Sequence, residues 1–316
     1  MPMQPNLFDD PPKSQKTVVS EQTIEFIPLQ KDIPGLTLSG LLPANARLEL
    51  TRHYEIHSIH LSRILHQLSD LKASKLTIEQ IAQLLSIPSA RTEATLSFGR
   101  KIYLINSENN LTPFGKLVLA ESPYLDNKGL LWLFHYMLAS NASLVIWSIA
   151  FNELPVRKAE VDLGEITQVL TSASDKWSEL TLKKKAPAEL RGAIRCYTEE
   201  IFSPLDLITH VGGTKYEFNS NTAIIPPLVW LSSLLVYRDQ YYPGAPSLEI
   251  PLIVGGNFSP GRIFRQNQAS VRKALDELHN AGLLSVEVRS GLDQVRFKRD
   301  TTWLSAATHY LKGESR

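Results

Sequence analysis

The sequence predicts a mostly α-helical protein in which two small helix-and-hairpin modules flank a helical core. Three observations carry this. Leu61, Ile64, Leu68 and Leu71 recur at the three- and four-residue steps of a helix face. Residues 123–245 are apolar and hold Trp132, Trp147, Trp177 and Trp230, as a packed helical core would. In two places, near Arg52–Ala120 and Gly261–Lys298, helix signals are followed by short strand signals around a turn.

Residues 1–45 read as a flexible tail and arm, rich in Pro, Asp and Lys at first and then broken by Pro28, Pro34, Gly35, Gly40 and Pro43. Residues 46–122 form the first module. Its first helix carries the leucine stripe. Thr77 caps a second helix, Ile78–Leu85, with Gln80 placed for a capping box, and Pro88 ends it. Ser89 caps a third helix, Ala90–Tyr103. Leu104-Ile105 then start a strand, Glu108-Asn109-Asn110 supply a turn, and Leu111–Ala120 forms the returning arm. This is the order of a winged helix-turn-helix.

Residues 123–245 form the helical core, in which Gly129–Ala139 (GLLWLFHYMLA) is a buried helix, too short for a membrane span. Residues 246–316 form the second module. Asn267 or Ser270 caps a helix with Val271, Leu275 and Leu278 inside. Gly282 is the left-handed residue that ends it, and two strands follow around Ser290-Gly291.

The 316 residues are 43% hydrophobic and 21% charged, which excludes wholesale disorder and rod-like repeats. The net charge is +1, so any nucleic-acid surface must come from local segregation of cations. The single cysteine, Cys196, excludes an intramolecular disulfide and a Cys-rich zinc site, and suits a cytoplasmic setting. The first residues lack the apolar stretch of a secretory signal.

Nucleic-acid contact is the first candidate chemistry. On the third helix, Ala94 and Ser97 with Arg100 and Lys101 lie on the predicted outer face together with Glu93, an anion that works against DNA contact; Arg91 sits near its start, and Lys116 follows. Between Arg262 and Lys298 seven cations outnumber four acids, a local charge of +3; Arg262, Arg265, Arg272, Lys273, Arg289 and Arg296 are the predicted contacts. Purely structural modules with solvated charges are the alternative.

Catalysis is the second. His53, Glu55, His57 and His60 form H-x-E-x-H-x-x-H, with half of the eight histidines lying between His53 and His66. On one continuous helix the histidines would share a face with Ile64 and Leu68 and Glu55 would point away, so a joint site requires the helix to begin after Glu55. Core histidines at a packing seam are the competing reading. Glu199, Glu200, Asp206 and His210 form a second acidic group able to hold Mg²⁺ or Mn²⁺. Gly212-Gly213-Thr214-Lys215 lacks the first glycine and the order of a phosphate loop, so no nucleotide cofactor is expected. Lys183-Lys184-Lys185 reads as a solvated loop that, with Arg191 and Arg195, could extend a phosphate-binding surface.

Several stretches resemble a bacterial family first catalogued as a domain of unknown function and found beside PAPS-reductase-like proteins in phosphorothioation and antiphage islands. These are LTPFGKLVLA at Leu111–Ala120, PYLD at Pro123–Asp126, LLWLFHYMLASN at Leu130–Asn141, AFN at Ala150–Asn152, SPL at Ser203–Leu205, SPGRIF at Ser259–Phe264 and GLDQVR at Gly291–Arg296. The family's H-E-T-F reads here His53-Tyr54-Glu55-Ile56, with the Glu displaced. The resemblance implies a DNA-binding component of a phosphorothioate modification system, similar to the SspB-like nicking subunit of the Ssp system. It implies as partners double-stranded DNA, a PAPS-reductase-like sulfur-transfer protein and an associated ATPase, with no membrane, in the bacterial cytoplasm and at the nucleoid when active. His53, Glu55, His57, Glu200 and Asp206 are the residues to test for nicking, with Mg or Mn as the metal. Two other readings stay open: a non-catalytic DNA-binding adaptor or transcriptional regulator, and a scaffold that docks the sulfur-transfer enzyme.

Overall fold

The computed structural model describes residues 42–70, 76–157, 160–165, 168–169, 176–219, 223–289 and 292–313. The predicted tail and most of the arm, Leu71 of the leucine stripe and the Ser290-Gly291 turn lie outside the described residues.

The protein is mostly α, as predicted. Helices α1 (Ser58–Asp70), α2 (Ile78–Leu85) and α3 (Ser89–Lys101) come first. Leu61, Ile64 and Leu68 form the buried stripe of α1. At α2 the Thr77–Gln80 capping box is made in both directions, and Ser86 ends the helix in the left-handed region at φ 53°. Helix α3 starts one residue earlier than predicted, with Pro88 at its N-cap and no side-chain cap.

The returning arm of the first hairpin is not a strand. Ile105 and Leu111 make a single antiparallel bridge, after which Pro113–Glu121 forms helix α4. Thr112 Oγ1 accepts the Gly115 N–H at 2.9 Å, and Pro113 at the first helical position has no N–H to leave unpaired. Gly115 has to be glycine: a Cβ there would run into the Leu104 carbonyl.

Helix α5 (Lys128–Ala139) is buried from Gly129 to Ala139, and Asn127 Oδ1 caps it. Helix α6 (Val145–Asn152), the single turn α7 (Leu154–Arg157) and the long α8 (Glu179–Thr198) follow. Lys183-Lys184-Lys185 lies in α8, not in a loop. Strands β1 (Glu160–Asp162), β2 (Ile208–Gly212) and β3 (Lys215–Phe218) form an antiparallel sheet in the order β1-β3-β2. Gly212 and Gly213, at φ 140° and 60°, make the β2–β3 turn, where Lys215 pairs with Glu160.

Helix α9 (Pro227–Tyr241) packs on α5. Then come β4 (Ser247–Glu249), α10 (Ile250–Gly255), α11 (Pro260–Ile263) and α12 (Gln268–Asn280). The predicted helix–glycine–hairpin order is present: Asn267 caps α12, Gly282 sits at φ 65°, and β5 (Leu284–Arg289) pairs antiparallel with β6 (Leu292–Phe297). Strand β4 extends this sheet on the other edge of β6.

Helix α13 (Trp303–Leu311) returns to the front of the chain, packing on α4 and α9. Trp303 meets Phe114 and Tyr103, and Tyr310 Oη donates to Asn127 Oδ1 at 2.7 Å. Both ends of the described chain therefore share one apolar core with the central helices. At its centre His135 is fully buried. It bonds Tyr197 Oη through Nδ1 at 2.7 Å and the Ile263 carbonyl through Nε2 at 3.2 Å, joining α5, α8 and α11. No helix among the described residues is long and apolar enough to cross a membrane.

Candidate functional site

The residues before α1 and one face of α8 build the most concentrated polar cluster. Helix α1 begins at Ser58, so His53, Glu55 and His57 lie on an irregular strip and not on the helix. This is the condition under which Glu55 and His57 can face the same way. The strip is sewn to α8. Buried Glu189 accepts the N–H groups of Leu50 and Thr51 through Oε1, both at 2.9 Å, and that of His53 through Oε2 at 2.8 Å. Arg52 and His53 turn the chain in the left-handed region at φ 53° and 63°. Gly192, one turn along α8, lies against the His53 backbone, where a Cβ would stand 2.7 Å from the carbonyl. Cys196 Sγ accepts the Ile56 N–H at 3.3 Å. Burial pushes that thiol up to about 12, so it is a packing and acceptor atom and not a nucleophile.

This anchoring delivers Glu55 between two guanidinium groups from different helices. Its Oε1 is 3.0 Å from Arg91 Nη2 of α3, and its Oε2 is 2.9 Å from Arg195 Nη1 of α8. Burial works to raise the pKa of Glu55, but its own backbone N–H and the charges of Arg195 and Arg91 outweigh that and hold the carboxyl below its ordinary value. His57 sits beside it. Its Nδ1 is 2.8 Å from Glu200 Oε2, and its Nε2 is 3.3 Å from Glu55 Oε1. The His60 ring meets His57 edge-on at 4.8 Å, and burial, aided by His57, Arg91 and Arg63, lowers its pKa. Arg195 also grips Glu199 at 2.9 Å.

Three of the five residues predicted for nicking, Glu55, His57 and Glu200, thus meet across a sequence separation of about 140. The other two do not join them. His53 offers its backbone to Glu189 while its ring stacks on Tyr54. Asp206 sits at φ 53° after the Ser203–Leu205 turn and bonds Asn219. Glu189 and Gly192 escaped the sequence reading, and Cys196 entered it only for the disulfide and zinc site it excludes. Their signal was a carboxylate at the i, i+3, i+7 spacing of an otherwise apolar helix face.

The predicted outer face of α3 is not one. Every residue from Arg91 to Lys101 is buried or half-buried. Ala94 is 1% exposed, and Thr92, Thr95, Leu96, Phe98 and Gly99 are buried with it; Phe98 packs on Trp147 and Phe202, and Gly99 lies against Ile105 and Leu61. Arg91 serves Glu55, and Arg100 donates to Asn109 Oδ1 at 2.5 Å. Burial lowers the pKa of both Arg100 and Lys101. Ser97 is half-buried and Lys116, on α4, is exposed.

In the C-terminal module two predicted contacts are interior clamps. Arg262 donates to the Asn152 carbonyl at 2.9 Å, and Arg265 to the carbonyls of Asn219 and Phe218 at 2.8 and 3.1 Å. Arg272 pairs with Asp293 and Asp276, and Arg296 with Glu287. The Arg289 side chain lies outside the described residues. Lys273 and Lys298 are exposed, as are Gln268 and Ala269 at the start of α12.

A family profile described as "Protein of unknown function (DUF4007)" matches residues 99–313. The chain belongs to this family. Two solved structures share the fold of this DUF4007 chain. One is described as "SspB crystal structure", at 19% identity over 88% of this chain and 89% of the other, with a TM-score of 0.68. The other is described as "Magnesium ion-bound SspB crystal structure", at 20% identity over 85% and 90%, with a TM-score of 0.67. No curated protein matches the chain.

Magnesium is a property of that neighbour. The polar cluster of the DUF4007 chain does not itself fit a metal. Both oxygens of Glu55 are taken by arginines, and the His57 ring fills the space between Glu55 and Glu200. Among the described residues no three His, Cys, Asp or Glu side chains are arranged to hold a metal ion.

Proposed function

We propose that this protein is the DNA-engaging subunit of a bacterial DNA phosphorothioate modification and antiphage defence system, and that it nicks one strand to open the backbone for sulfur insertion. The family membership, the SspB-like fold and the phosphorothioation-island resemblance set this context. The observation that carries the nicking is an imidazole held by one carboxylate beside a second carboxylate gripped by two arginines. Hydrolysis of a phosphodiester needs a base for the attacking water and cations for the charge that develops on phosphorus-bound oxygen. Glu200 orients His57 through Nδ1; once substrate displaces the 3.3 Å contact with Glu55, the ring gives its Nε2 proton to solvent and Nε2 is open to take the water proton. Arg91 and Arg195 turn from Glu55 to the phosphate. The water oxygen bonds to phosphorus, the P–O bond to one deoxyribose breaks, and solvent protonates the leaving oxygen.

In this reading α12 with the β5–β6 hairpin is a winged-helix DNA module, reaching the duplex with Lys273, Lys298 and the exposed start of α12. The buried α3 supports the reaction strip and does not enter a groove. The partners are double-stranded DNA, a PAPS-reductase-like sulfur-transfer protein and its ATPase, in the bacterial cytoplasm.

The test is relaxation of supercoiled plasmid by folded protein in buffer with Mg²⁺ or Mn²⁺. Wild type is expected to produce open circles and His57→Ala to lose that activity. Intact supercoils at high wild-type concentration reject nicking. The engagement of Glu55 by two arginines favours one second reading, a non-catalytic DNA-binding adaptor. It predicts intact plasmid together with DNA affinity that falls steeply with salt.

A further inference from the structure

We propose that Glu189 is the positioning residue of the His57 site. This rests on the nicking reading above, and it assigns the residue that sets the geometry of the reaction strip. The argument starts from cost. A carboxylate with no solvent exposure is expensive to keep ionised unless its oxygens are satisfied. Here all four partners are uncharged: the Leu50 and Thr51 N–H groups and Thr51 Oγ1 on Oε1, and the His53 N–H on Oε2. Those donors are delivered by a chain that turns through the left-handed region at two consecutive non-glycine residues, Arg52 and His53. Such a turn persists only where its surroundings over-determine it.

The anchoring side chain is on α8, one turn before Gly192 and two turns before Cys196, and each of these takes the next piece of the strip. Arg195 on the same helix grips Glu55. Just beyond α8, the Ile201 N–H donates to the Ile56 carbonyl at 3.4 Å. Helix α8 thus acts as a ruler, and Glu189 sets the end from which Glu55 and His57 are measured out. Catalytic groups displaced by about 1 Å can lose about a hundredfold in rate. A residue that touches no substrate can therefore govern turnover.

The experiment compares wild type with Glu189→Gln and Gly192→Ala in the full chain. Glutamine keeps one acceptor oxygen for Leu50 and Thr51 but turns an N–H₂ toward the His53 N–H. Alanine leaves the carboxylate intact and pushes the His53 backbone off α8. Three readouts are taken on cooperatively folding protein: amide hydrogen exchange at Leu50, Thr51 and His53, the His57 C2–H titration by NMR, and plasmid nicking rate against DNA Kd. In both variants we expect faster exchange at His53, a shifted His57 titration and nicking reduced about tenfold or more, with DNA Kd unchanged. Wild-type exchange and wild-type titration in the folded variants overturn the proposal. So does wild-type nicking by a variant whose strip has loosened. If wild type itself leaves plasmid supercoiled, the nicking reading falls on its own. In that case accelerated exchange with a shifted titration still supports Glu189 as the strip's anchor, and their absence still overturns it.

Discussion

His135 offers the sharpest test of how this core is held. It is fully buried, and burial pushes its pKa from 6.5 down to about 3. The neutral ring accepts from Tyr197 Oη at Nδ1 and donates from Nε2 to the Ile263 carbonyl. Below pH 6.5 the unfolded chain binds a proton at this histidine that the folded chain refuses until about pH 3. The unfolded state then holds more protons, so stability falls as pH falls through that window, at about 1.4 kcal/mol per pH unit. Between pH 6.5 and 4.5 the loss from this one group is about 2 kcal/mol. His135→Phe removes the titration. It also leaves the Tyr197 hydroxyl and the Ile263 carbonyl unpaired, at about 1–3 kcal/mol each. The variant should therefore be clearly less stable than wild type at pH 7, with the gap closing by about 2 kcal/mol at pH 4.5. Urea unfolding of both proteins at pH 7, 6, 5 and 4.5 measures it, and every other titrating group cancels in the difference. A gap that stays constant from pH 7 to 4.5 would refute the neutral buried imidazole.

Three further outcomes are expected. Gly115→Ala drives a Cβ into the Leu104 carbonyl; thermal unfolding should show a loss of about 1–3 kcal/mol or more, and an unchanged Tm would mean that α4 and the Leu104 turn can move apart. Glu55→Gln should be less stable than wild type at neutral pH. Because the folded pKa of Glu55 is lowered, its contribution is present above the unfolded value and is lost as pH falls through the folded value, so chemical denaturation should show the two proteins converging in acid. Lys273→Glu, at an exposed position on α12, should weaken DNA binding across sequences and lower the slope of log K against log salt by about one; an unaltered salt slope would take α12 out of the interface.

Local chemistry made much of the fold readable. The Thr77–Gln80 box, the Asn267 cap and the left-handed Gly282 each report a backbone event within a few residues, and each is present. The arm at Leu111–Ala120 went the other way, although its own signal was there: Thr112-Pro113 is an N-cap followed by a first-position proline, and it opens a helix. Apolar content and a preceding turn had suggested a strand. The face of α3 was misjudged for a different reason. Periodicity places residues on a wheel but does not say how much of the wheel the neighbours cover. Here Thr92, Ala94, Thr95, Leu96, Phe98 and Gly99 are all buried, and the rest of the helix from Arg91 to Lys101 is half-buried.

The polar cluster shows where one-dimensional reasoning stops. Glu55 and His57 stood in one candidate group and Glu200 in another, and only the third dimension joins the two, through the His57–Glu200 contact and the grip of Arg195 on Glu55. Yet the chain did carry a clue to the join. A face of α8 that is apolar at Leu182, Ala186, Leu190, Ala193 and Tyr197 but interrupted by Glu189 leaves a buried charge needing donors. Backbone N–H groups of Leu50, Thr51 and His53 supply those donors, from a chain that turns at Arg52 and His53. The irregular strip before α1 is thus a consequence of Glu189 as much as of its own sequence. Glu55 and His57 are brought beside Arg91 and Glu200 by a carboxylate that meets none of them.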